Sequence, residues 1–313
     1  MDPITHGLIG MAVSAAGQNT FSILSPITVA TVTGSILPDG DIVMRTLGNA
    51  AYLKHHRGGS HSLIGIALEA MAAGGVLKLF YPETSVFTLM LWVFIGTLTH
   101  ILSDLLNSYG AKILWPLSNK KYTLCMLTIT DPIILGLAAI STISSYKNLG
   151  YNKYIIAIFI LYIMSKVFMH VYGSILLRRE FCDICHIRKI HLLPSMIAFY
   201  KFQYIIEGSM SKIVGDINFL YHRVRVFDIF KGQDDGIEEH VLKSRTAKYF
   251  KEFTPIFHID FEKINDGYKA LLTDLRYILK GEFLHHATII YDEKMNILEE
   301  KFNPYNINKN IDV

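Results

Sequence analysis

Nine ionisable residues fall at the ends of apolar runs in the first part of this 313-residue chain: His6, Asp39, Asp41, His55, His56, His61, His100, Asp104 and Asp131. Charged groups at membrane depth are costly, so their default reading is functional. His100-Ile-Leu-Ser-Asp104 is an i, i+4 pair, which puts imidazole and carboxylate on one helix face. Such a pair can ligate one metal ion or bridge two. Asp39-Gly40-Asp41 follows Pro38 at a helix exit, where Gly40 lets the backbone turn and both carboxylates face one site. His61 opens a helix after Gly58-Gly59-Ser60. Nitrogen and carboxylate ligands in one place suit Zn²⁺ or Mn²⁺. Taken singly, Asp39 and Asp131 read more readily as helix N-caps or loop acids, and Ser60 as a cap.

The elements that must position these residues follow from the charge distribution. The chain is 51% hydrophobic and only 18% charged, with mean hydropathy +0.31. Residues 1–177 hold 10 Lys/Arg and 7 Asp/Glu, whereas residues 178–313 hold 20 of each. A membrane module therefore precedes a water-soluble one. This excludes a disordered chain, a repeat protein and a single ordinary soluble domain. The expected architecture is mainly α: a membrane-embedded helical bundle over 1–180, then a small α+β domain over 194–313. Apolar helices are predicted at about 4–17, 22–36, 60–80, 85–108, 131–146 and 153–177, several shorter than the roughly 20 residues of a full span. Gly7, Gly10, Ala12, Ala15, Ala16, Gly34 and Ser35 suit close helix packing in lipid.

If successive helices alternate direction, every residue of the ionisable set falls on one side, and that side holds five of the seven acids of residues 1–177. That convergence favours a metal site over capping alone. The same side carries Arg45, Lys54, Arg57, Lys112, Lys120, Lys121, Arg178 and Arg179, against Lys78, Lys147 and Lys153 opposite. The positive-inside rule makes the richer side, and with it the C-terminal domain, cytoplasmic. The sparse cysteines Cys125, Cys182 and Cys185 fit a reducing compartment. The start MDPITHG lacks the charge pattern of a signal peptide. The net charge of +3 is spread without a basic stripe, so no nucleic-acid partner is expected.

Six strings together carry a family likeness: MDPITHGLIG at 1–10, LPDGD at 37–41, HHRGGSHS at 55–62, GTLTHILSDLLNSYG at 96–110, LWP at 114–116 and Asp131-Pro132. They resemble the YdjM-type family of bacterial inner-membrane, metal-dependent hydrolases over about residues 1–135. The resemblance implies a membrane-embedded site in which His6, Asp39, Asp41, His56, His61, His100 and Asp104 hold one or two divalent ions, zinc or alternatively manganese. It implies catalytic roles for Asp104, Arg57 and Asp131. Metal-activated water would attack a phosphoester or lipid-like substrate, Arg57 would hold phosphate by a forked contact, and a free carboxylate would take the proton. The order of ligands also resembles the all-helical zinc phospholipase C group, whose later His and Glu ligands have no clear match here. The alternative is an ion or metal transporter whose path is lined by the same Asp and His residues.

Cys182-Asp-Ile-Cys185-His186 matches a haem-attachment string and half of a zinc site, but reads best as a juxtamembrane linker with two free thiols. Beyond Pro194, SMIAFYKFQYIIEG and SKIVGDINFLYHRVRVFDIF predict two or three strands with a turn near Gly208. Residues 236–253 carry apolar residues at helical spacing. Residues 283–302 predict a hairpin around Asp292-Glu293-Lys294, in which His285 and His286 face opposite ways and form no ligand pair. The tail from Asn303 is expected to fray.

Overall fold

A computed structural model describes residues 1–40, 58–195, 198–232, 235–254, 256–279 and 281–303. The described residues form two compact units, one within 1–40 and 58–170, the other within 171–303. The predicted membrane bundle and α+β domain are both present. The second unit takes in the end of the last apolar helix.

The first unit is helical: α1 Pro3–Ala16, α2 Pro26–Ile36, α3 Leu63–Phe80, α4 Val86–Leu106, α5 Pro132–Tyr146 and most of α6, Asn152–Phe181. Three helix starts share one device, a capping side chain followed by proline at the first helical position. Asp2 accepts from the Thr5 amide, Ser25 from the Thr28 amide, and Asp131 from the Ile133 and Ile134 amides. Helices α3, α4 and α6 are long and apolar enough to cross a membrane. At 14, 11 and 15 residues, α1, α2 and α5 are shorter. At about 1.5 Å per residue they reach roughly 16–23 Å, less than the hydrocarbon core.

Glycine sets the closest crossing. A Cβ on Gly34 of α2 would lie 2.1 Å from the Val93 carbonyl oxygen, and one on Gly96 of α4 would lie 2.1 Å from that of Thr31. The two backbones therefore touch, and Ala30, Ala70, Leu89 and Val93 fill the core beside them. A second core packs Met1, Leu127, Ile134 and Tyr162. Outward positions such as Leu68, Leu79, Phe87, Leu161 and Phe168 are large and apolar, as expected where lipid is the solvent.

In the second unit, β1 Ile187–Pro194, β2 Lys201–Gly208, β3 Ser211–Asn218 and β4 Arg223–Lys231 form an antiparallel meander. The predicted turn at Gly208 joins β2 to β3. Strand β1 precedes the expected start of the soluble domain at 194. The helix expected over 236–253 is two, α7 Asp235–Val241 and α8 Arg245–Phe253. They divide where the Ser244 side chain caps α8 through the Ala247 amide. Strands β5 Phe257–Ile264, β6 Gly267–Asp274, β9 His286–Tyr291 and β10 Ile297–Asn303 form a second antiparallel sheet in the order β10-β9-β6-β5. Between β6 and β9 lies a small ladder of β7 Ile278–Leu279 and β8 Glu282–Phe283. The β9–β10 hairpin is the one predicted. Strands β5 and β6 have no counterpart in the sequence reading. The residues of the tail from 304 onward lie outside the described set.

Candidate metal centre

One end of the helical unit gathers five of the predicted ligands. His6 comes from the first turn of α1, Asp39 from just beyond α2, and His61 from the turn before α3. His100 and Asp104 come from the last two turns of α4. His100 is the hub. Its Nδ1 lies 2.8 Å from the Ser35 carbonyl oxygen. A carbonyl only accepts, so Nδ1 donates and Nε2 of the neutral ring keeps its lone pair. That Nε2 stands 3.1 Å from Nε2 of His61, 3.6 Å from Asp39 Oδ1 and 3.9 Å from Asp104 Oδ2. His61 Nε2 lies 3.4 Å from Asp104 Oδ2, and His6 Nε2 lies 3.4 Å from Asp104 Oδ1. The His6 and His100 rings stack at 3.6 Å.

This donor set fits a divalent cation. Donor atoms of His6, Asp39 and His100, and of His61, His100 and Asp104, each lie within 4.8 Å of one another. Ligands about 2.1 Å from a tetrahedral ion are spaced roughly 3.4 Å apart, within the range found here. His6, His61, His100 and Asp104 are almost wholly buried. Nδ1 of His6 and Oδ2 of Asp39 are buried with no hydrogen-bond partner among the described residues. Buried polar atoms are ordinarily satisfied, so these two call for a partner such as a cation.

Three further groups shape the centre without having been singled out in the sequence. The Ser35 carbonyl sets the His100 tautomer, and no side-chain pattern announces a carbonyl. Asn107 donates from Nδ2 to Asp104 Oδ1 at 2.8 Å and accepts the Tyr109 and Gly110 amides on Oδ1. It lies within the quoted string at 96–110, so its signal was present. The α-amino group of Met1 donates to Asp104 Oδ1, and the Met1 side chain is buried in the adjoining core.

Asp131 is engaged elsewhere. It caps α5 and accepts a 2.7 Å hydrogen bond from the Tyr162 hydroxyl, beside the buried Lys166. It belongs to neither group of candidate ligands. Asp41, His55, His56 and Arg57 lie outside the described residues. Among the described residues Cys125, Cys182 and Cys185 form no disulfide, the last two in the turn between α6 and β1.

Residues 1–173 match the family model of the YdjM inner membrane protein, and residues 237–311 match that of the YfhP C-terminal alpha/beta plait domain. The chain is 25% identical over 297 residues to the uncharacterized protein YfhP of Bacillus subtilis (strain 168), covering 90% of this chain and 89% of that one. No solved structure matches it. The first match takes in all five clustered ligands and more than half of the sequence: this is a membrane protein, and it belongs to the YdjM inner membrane protein family.

Proposed function

We propose that this protein is an integral-membrane, metal-dependent hydrolase of a phosphoester, most simply a lipid-like one. The observation that carries the reading is the lone pair of His100 Nε2, held by the Ser35 carbonyl and directed among His61, Asp39 and Asp104. His6, Asp39, His61, His100 and Asp104 would hold the ion, zinc or manganese. When bound, such an ion supplies Lewis acidity to a phosphoryl oxygen and lowers the pKa of water.

The chain's own residues do the rest. The His6 and His100 rings stack, which fixes the plane of each imidazole. Asn107 orients the Asp104 carboxylate. A carboxylate oxygen of the cluster left free of the ion would take the proton. The catalytic role that the resemblance implies for Asp131 is not taken up in this reading, because its oxygens hold a helix start and a tyrosine. Arg57 keeps the phosphate-binding role on the sequence argument alone.

The transporter reading is weaker. Transport sites sit near the midplane on broken helices, whereas these ligands collect at helix ends. The Lys/Arg bias puts the site and the C-terminal domain on the cytoplasmic side. A reporter active only outside the cytoplasm, fused after Val313, should then stay silent; activity would reverse the orientation.

The deciding experiment is elemental analysis and turnover on a phosphoester panel, for wild type and Asp104→Asn purified in detergent. Wild type should retain a divalent metal and cleave at least one substrate. The variant should stay folded and lose both, because Asn keeps the shape without the charge. Full metal and turnover in the variant would sink the assignment. A metal-loaded wild type that cleaves nothing would favour transport.

A further inference from the structure

The second unit carries its own indication of where a bilayer surface lies. Its first sheet packs on residues 171–181 of α6. Phe181 meets Tyr204 of β2 with ring centroids 5.8 Å apart, and Tyr172 meets Phe219, just beyond β3, at 6.3 Å. A Cβ on Gly173 would contact Phe219, Ile217 and Leu192, and Leu177 is fully buried. Tyr204 pairs with Gly215 of β3. From Gly215 to Phe219 a strand climbs about 14 Å. From Phe181 back to Tyr172 a helix descends about 14 Å. The β3–β4 hairpin therefore runs alongside residues 172–181 of α6, with its tip at the level of Tyr172. The opposite end of the sheet, the turn at Gly208, lies against Cys185 beyond the helix.

That tip is built unlike an ordinary soluble turn. Leu220 and Tyr221 are 61% and 64% exposed. Their amides both donate to Asn218 Oδ1, which fixes the turn. Phe199, 56% exposed, sits on the adjoining turn, where the Phe219 amide donates to the Tyr200 carbonyl. His222 and Arg223 are exposed directly behind the apolar residues. On α6 itself Val171 and Ile175 are exposed apolar residues, and exposed Arg178 and Arg179 follow. Apolar and aromatic side chains backed by basic ones form the pattern of an interfacial anchor.

We infer that the turn Phe219–Arg223, together with Phe199, is a second membrane anchor: Phe199, Leu220 and Tyr221 enter the bilayer interface at the level of Tyr172, while Arg223 meets acidic lipid headgroups. The occupant is the lipid surface in which α6 is itself embedded. The hairpin and the helix thus grip one leaflet from two sides. The β4 residues Val226 and Ile229, further from the tip, are not part of the anchor.

The test uses the full chain with Cys125, Cys182 and Cys185 replaced by serine. Single cysteines at Leu220, Phe199, Ile175, Leu161 or Leu298 carry a polarity-sensitive fluorophore. The proteins are placed in nanodiscs of phosphatidylethanolamine and phosphatidylglycerol with nitroxides at shallow acyl positions or, for the Leu161 label, at deeper ones. Labels at Leu220 and Phe199 should be quenched as strongly as the one at Ile175. The label at Leu298, an exposed β10 residue, should respond only to aqueous iodide. Quenching by iodide but not lipid at both Leu220 and Phe199 would overturn the anchor. A Leu161 label untouched by deeper nitroxides would instead overturn the placement of α6 in the membrane, and the anchor with it. Arg223→Glu should weaken lipid quenching at Leu220 when phosphatidylglycerol is present; an unchanged signal would remove the headgroup contact.

Discussion

His6 and His100 stack their imidazole rings at 3.6 Å with only 18° between the planes, one from the start of α1 and the other from the end of α4. Two like rings this close, buried and sharing carboxylate neighbours, cannot both carry a proton cheaply. In the proposed reading a cation among these donors would remove the need for either ring to carry a proton. His6→Ala should therefore cost more metal affinity than Asn107→Ala, which removes only the group orienting Asp104. The orienting variant should lose about 10–100-fold, as for residues that position a ligand, and His6→Ala more. Competition with a chelator measures both. Equal affinities in wild type and His6→Ala would remove His6 from the ligand set.

The crossing of α2 and α4 has no room for a side chain at Gly96. Gly96→Val should force the helices apart, because its first carbon would overlap the Thr31 carbonyl oxygen and backbone cannot swing aside. Overpacking a core typically costs about 1–3 kcal/mol, and this site should reach the upper end or pass it. The same shift withdraws His100 from Ser35, so metal should be lost along with thermal stability. A variant with normal stability and normal metal content would show that the crossing is looser than it looks.

Tyr162 and Asp131 give the opposite pattern. Tyr162→Phe removes the 2.7 Å hydrogen bond to Asp131 but touches none of the clustered ligands. Leaving a buried carboxylate short of one donor should cost about 1–3 kcal/mol. Metal content should not change. Loss of metal with stability intact would return Asp131 to the centre.

His285 sets a pH dependence in the second unit. It is buried between the rings of Phe253 and Tyr277, and burial pushes its pKa down to about 4. The unfolded chain, with a His pKa near 6.5, binds the proton more readily than the folded one in this range. Stability of the second unit should thus be full above about pH 6.5 and fall as pH drops toward 4, by up to about 3 kcal/mol from this group. Urea midpoints of the full chain in detergent, measured across that range, test it. His285→Gln should flatten the fall; an equally steep profile would assign it to other groups.

Much of the helical unit was legible because its signals are local. An apolar run, a capping Asp131 before Pro132, and an i, i+4 spacing at His100 and Asp104 depend only on neighbouring residues. The hairpin at 286–303 was legible for the same reason, through alternation around a polar turn. Strands β5 and β6 were not, because β6 pairs with β9 further along the chain and both share a core with residues of β9 and β10.

Residue type and helix ends determined that Asp and His would collect on one side of a membrane bundle. They did not determine which would meet. Asp131 has the same chemistry as Asp39 and also lies at a helix end, yet the Tyr162 hydroxyl of another helix engages it. The His100 tautomer hangs on the carbonyl of Ser35, a backbone group every residue possesses. Only the close crossing of α2 and α4 at Gly34 and Gly96 brings that carbonyl within reach. Contacts between distant segments depend on how backbones approach, and a linear pattern of side chains does not encode that distance.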